Sequence, residues 1–145
     1  MYQLKDKVYN IVITDPELIS LLNMTEEETR VATAYPSDDV FYNDITPAFI
    51  VYAMVITRRS QQWSFPNQTG NAFLYFRINS IDKTKLENIA DRLIVLFDKS
   101  VVESDNWIAK TCMLNNATEK PPEGSPSQPV YVLDVSFRLS NIFSK

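Results

Sequence analysis

Between Pro47 and Ser100 the chain carries two nearly unbroken apolar runs followed by a helix-period pattern, and few folds accommodate that order. The first run spans Ala48 to Ile56. The second, Ala72 to Ile78, follows a polar, turn-rich interval from Arg58 to Asn71. Both are rich in β-branched and aromatic residues and are bounded by Pro47 and Gly70, which predicts strands. Leu86, Ile89, Ala90, Leu93, Ile94 and Phe97 then step by three and four, the spacing of one helical face. Asp82 stands where its carboxylate can take the free N–H groups of the first turn. The first run is apolar at almost every position and predicts a strand covered on both faces. The second alternates. Leu74, Phe76 and Ile78 share one face, and Phe73, Tyr75 and Arg77 share the other, which is too aromatic to stay bare in water.

The flanking segments complete the outline. Leu4, Val8, Ile11 and Val12 fall on one helical face, and Asp15-Pro16 opens a second, shorter helix through Leu22. Val31 to Tyr35 reads as a short strand ended by Pro36, residues 98–106 as a polar connection, and Trp107 to Leu114 as a strand. Residues 115–129 are almost free of apolar side chains and dense in proline, which predicts a flexible loop. In the last strand Tyr131, Leu133, Val135, Phe137 and Leu139 point one way, and Asp134, Ser136 and Arg138 the other. The expected fold class is α+β, an antiparallel sheet of four to five strands with N-terminal and central helices packed on it. A single domain over 1–145 is expected, with flexible loops at 58–71 and 115–129.

Absences narrow the function. The sequence has no histidine, which removes histidine triads and most zinc sites, and its two glycines cannot build a phosphate-cradling loop. Asp38, Asp39 and Asp44 lack the central glycine and terminal glutamate of a calcium loop. No enzymatic activity, cofactor or metal is expected. The net charge of −4 argues against a broad nucleic-acid or anionic-membrane surface. No signal peptide is evident, and no apolar run approaches the ~20 residues needed to cross a bilayer. The lone Cys112 sits in an apolar segment and reads as a buried small hydrophobe. These features point to a cytoplasmic, soluble chain and to no membrane partner.

One string invites a different reading. Gly70, Ala72, Phe73, Leu74 and Phe76 match the RNP1 signature of RNA-recognition domains, whose strand aromatics stack on bases. Thr69 replaces the leading basic residue, Asn71 replaces the first stacking aromatic, and helices precede the strands. An RNA-recognition-like nucleic-acid-binding module is the lesser alternative.

In order, the elements resemble the tail terminator (tail-completion or head–tail joining) proteins of long-tailed bacteriophages. The likeness is carried by the two N-terminal helices, the short strand ending at Tyr35-Pro36, and the proline-led strand from Pro47 to Tyr52. It continues through the long hairpin to Phe73–Asn79 and the helix from Leu86 to Leu96. That resemblance implies a structural virion protein at the tail–neck junction. Its partners would be itself, as a homo-hexameric ring, together with the tail tube protein and the neck or connector proteins. DNA would be met only by passage through the lumen, and no catalytic residue is implied. A head-completion stopper of the neck is the nearer alternative.

A ring subunit needs apolar surface for its neighbours to cover. Arg58, Arg59, Trp63 and Phe65 concentrate interface-favoured side chains in one interval, and Phe73 and Tyr75 supply the aromatic strand face. These six are the candidate protein-interface residues. Trp63 and Phe65 could equally fold back onto the domain's own core.

Overall fold

A computed structural model describes residues 2–25, 29–33, 48–58, 70–125 and 128–145. Helix α1 (Tyr2–Thr14) and helix α2 (Pro16–Leu22) lead into strand β1 (Val31–Ala32) and strand β2 (Ala48–Arg58). Strand β3 (Gly70–Ser80), helix α3 (Lys83–Phe97), and strands β4 (Ser100–Glu103), β5 (Trp107–Ser125) and β6 (Gln128–Ser144) follow.

The helix ends are set by side chains the sequence singled out. The Asp15 carboxylate accepts the Leu18 N–H at 3.1 Å, and Pro16 occupies the first turn, where a missing N–H leaves nothing unpaired. Asn23 ends α2 in the left-handed region at φ 51°, its N–H reaching the carbonyls of Ile19 and Ser20. Asp82 caps α3, its Oδ1 accepting from Thr84 N–H at 2.9 Å and Lys85 N–H at 3.3 Å.

The strands form one sheet in the order β1-β2-β3-β6-β5-β4. All neighbours are antiparallel except β1 and β2, which run parallel. The helices lie on one face. Against them the strands turn Ile50, Tyr52, Leu74, Phe76, Ile78, Val135, Phe137 and Leu139, which join Leu4, Val8, Leu18, Leu86, Ile89, Leu93 and Phe97 in a single core. Phe76 sits at its centre, with ring centroids 5.2 Å from Tyr52, 5.6 Å from Phe97 and 6.0 Å from Phe137. Tyr52 is fully buried, and its hydroxyl donates to the Lys5 carbonyl at 3.2 Å, tying β2 to α1.

Several expectations are corrected. The fold is α+β, but the sheet has six strands and is mixed, since the parallel β1 joins one edge. The polar connection at 98–106 holds a strand, β4, whose alternation over four residues is too short to register in the sequence. Of the expected loop at 115–129, residues 126–127 lie outside the described residues, and the rest forms the outer half of paired strands: β5 stays in register with β6 from Asn116 to Lys120 and again from Glu123 to Ser125. Pro121 and Pro122 fall at the register shift between Lys120 and Glu123, a place where strands tolerate residues without an N–H. Composition argued for a loop because this half of β5 faces water on most of its length and needs no apolar residues. Finally, β2 is not covered on both faces by the described residues, because Ala53 and Val55 are exposed.

Candidate functional site

The face of the sheet opposite the helices is partly exposed among the described residues. Pairing registers align its side chains in rows across β2, β3, β6 and β5. One row runs Val55, Phe73, Arg138, Met113, and the next runs Ala53, Tyr75, Ser136, Asn116. Val55 is 50% exposed, Met113 44% and Tyr75 43%, and Arg138 is exposed between them. Phe73 is half-buried and stacks on Tyr75 along the strand, with centroids 6.3 Å apart. Scattered apolar residues on a surface are ordinary, but contiguous aromatic and aliphatic side chains around an arginine resemble the centre of a protein interface.

The other end of the same face is closed. Phe49, Asn79 and Val132 share a row there and are buried. Between the two ends, Arg77 and Asp134, direct cross-strand partners, meet in two parallel hydrogen bonds of 2.7 and 2.9 Å. The face thus grades from buried, through a half-exposed ion pair, to an uncovered apolar end.

Among the described residues the sheet also ends in open edges. β1 covers β2 only opposite Ile50 and Val51, and β4 covers β5 only from Ile108 to Cys112. Among the described residues, no strand pairs with the outer edge of β2 beyond Val51 or of β5 beyond Cys112. Unpaired backbone along a strand is a template for pairing with another chain.

Of the six candidate interface residues, the structure brings Phe73 and Tyr75 together on the uncovered face. Arg59, Trp63 and Phe65 lie outside the described residues. Arg58 ends β2 opposite Gly70, and its side chain lies outside the description. The sequence did not single out Val55, Arg138 or Met113. The alternation of β6 places Arg138 away from the core, but only cross-strand register shows that it meets Phe73 and Met113. Within the RNP1-like string Phe73 is on the open face, while Phe76 is in the core.

The described residues hold no grouping of His, Cys, Asp or Glu suited to a metal ion. Cys112 is fully buried, and burial pushes its thiol up to about 11, against a smaller opposing effect from a Ser100 hydrogen bond. It is therefore a thiol, not a thiolate, at neutral pH.

No known protein family and no curated protein matches this sequence. By structure, the chain is similar to a chain of the virion of the native gene transfer agent (GTA) particle. The TM-score is 0.61 at 12% identity, covering 99% of this chain and 96% of that one. A further solved chain matches at a TM-score of 0.45 and 11% identity over 97% of this chain and 95% of that one, too distant to carry weight. The first likeness shows that the whole fold, helices and sheet together, recurs at nearly equal length.

Proposed function

We propose that this chain is a structural protein of a phage-like virion, in which copies form a ring that terminates the tail tube and joins it to the head–neck complex. The observation that carries the reading is the uncovered sheet face around Phe73 and Tyr75, flanked by two open strand edges. Such a surface is costly in a free monomer and useful in an assembly. The likeness in fold to a virion chain of the gene transfer agent particle supports a virion structural protein, and the ring-terminating role follows the resemblance of the sequence to tail terminators. In this role the partners are further copies, six by resemblance, with tail tube protein on one side and neck proteins on the other. The chain acts by binding and performs no reaction. DNA passes through the ring and is not gripped by it, in keeping with the net charge of −4.

Electron microscopy of the purified protein, alone and mixed with tail tubes, tests this. Rings, and tubes capped at one end, are expected. A chain that stays monomeric with tubes present and is missing from purified particles would refute the proposal.

A further inference from the structure

The two open edges of the sheet are suited to each other. On β5, β4 closes the edge as far as Cys112, and the Asp98 carboxylate takes the Leu114 N–H at 2.9 Å. Farther along, Pro121 and Pro122 interrupt the ladder at the shift between Lys120 and Glu123. Between those stops lies Asn115–Lys120, unpaired on its outer side among the described residues. On β2, β1 stops at Val51, and the Ile50 N–H is taken by the Arg30 carbonyl at 2.8 Å. Beyond that stop lies Tyr52–Arg58. The slot and the strand that would fill it are nearly equal in length.

Direction agrees as well. β2 is antiparallel to β3, β3 to β6, and β6 to β5, so β5 runs opposite to β2. Copies set side by side in one orientation therefore bring opposed strands together, which is the antiparallel arrangement with straight hydrogen bonds. Charges are confined to the ends of the two stretches, at Glu119, Lys120 and Arg58. Asn115 to Thr118 and Tyr52 to Thr57 contain no charge and no proline, whereas solitary edges are commonly blunted by both. β4 stops short of the slot, and β1 would meet β5 only near the proline pair, so neither short strand obstructs the fit.

We infer that Asn115–Lys120 of one copy pairs antiparallel with Tyr52–Arg58 of a second copy of this chain, extending the sheet from subunit to subunit. Each copy offers one edge and receives at the other, a head-to-tail contact that closes into a ring when the rotation permits. The inference rests on the ring reading and adds the contact that builds the ring.

Disulfide trapping tests the pairing. Ala53 is exposed on β2, and Asn116, Thr118 and Lys120 follow at alternate positions on β5. Ala53→Cys is combined in turn with Asn116→Cys, Thr118→Cys and Lys120→Cys, which samples neighbouring registers. Within one chain Ala53 and Asn116 are three strand spacings apart, roughly 14 Å, too far for an internal bond. The buried Cys112 stays silent in the folded protein. Under mild oxidation, at least one pair should give a ladder of dimers, trimers and higher species that a reductant collapses, while each single-cysteine variant should not. Circular dichroism confirms that each variant is folded. Dimers alone would indicate two-fold pairing and overturn the head-to-tail contact. Rings seen by microscopy without any cross-link in the three pairs would overturn the edge pairing and leave the ring role standing. Folded variants that stay monomeric throughout would overturn both.

Discussion

Arg92 on α3 holds Asp15 at the head of α2 through two hydrogen bonds, Nε to Oδ2 at 2.9 Å and Nη2 to Oδ1 at 2.7 Å. Asp15 is thus both the N-cap of one helix and an ion-pair partner of another, and its Oδ2 also accepts the Leu18 N–H. Arg92 in turn reaches Glu17 at 3.0 Å.

The Arg92 contact holds the Asp15 carboxyl below its ordinary range, against the opposing effect of burial. A carboxyl whose folded value lies below its unfolded value of about 3.9 stabilises the fold above that pH and loses the contribution as pH falls through the folded value. Asp15→Asn keeps the cap and removes the charge. It should therefore be less stable than the parent at pH 7 and approach it by pH 3. Asp15→Ala also loses the cap and should fall about 1 kcal/mol below Asp15→Asn at pH 7. Urea melts at the two pH values check both statements. Equal deficits at pH 7 and pH 3 would remove the ion pair from the account.

Phe76 has three aromatic neighbours and is 1% exposed. Truncating such a side chain leaves a cavity that the surrounding rings cannot fill, so Phe76→Ala should cost about 3–5 kcal/mol. For a chain of this size that is roughly a 10–16 °C drop in Tm. A drop of only a degree or two would mean that the core relaxes around the gap.

Tyr75 presents the opposite case, being 43% exposed on the uncovered face. Tyr75→Ala should change stability by less than ~1 kcal/mol, yet weaken self-association at least tenfold if the face is an interface anchor. Sedimentation equilibrium beside a thermal melt separates the two effects. Normal association with a lowered Tm would return Tyr75 to a purely structural role.

Cys112 should resist an aromatic disulfide reagent at pH 8 in the folded protein, because it is buried and its thiol is pushed up to about 11. Full reaction in denaturant and almost none without it is the expected pair of results. Rapid labelling of the folded chain would show that the strand around Cys112 opens readily.

The sequence was most legible where one local rule decides the outcome. The caps at Asp15 and Asp82 and the spacing from Leu86 to Phe97 each depend on residues within a few positions. The alternation in β6 was equally plain, because its core-facing side chains are apolar and Asp134, Ser136 and Arg138 are not. Legibility failed where backbone pairing alone makes the strand. Residues 115–125 fold onto β6 with little to bury, so nothing in their side chains announces the ladder. The candidate site was half-legible for a similar reason. Phe73 and Tyr75 stood out by alternation on one strand, but their neighbours Val55, Arg138 and Met113 come from three other strands, and only register unites them.

The attachment of α1 has a consequence for synthesis. Tyr52 donates to the Lys5 carbonyl, and the Gln3 side chain accepts the Asn106 N–H at 3.2 Å, across 103 residues of sequence. α1 is thus tied both to β2 and to the turn that precedes β5. At translation rates of about 5–20 residues per second, α1 waits on the order of 5–20 s for the turn at Asn106 to emerge. The Gln3 contact therefore waits on the turn at Asn106, whereas the Lys5 contact needs only β2, so α1 gains its two ties at separate stages of synthesis.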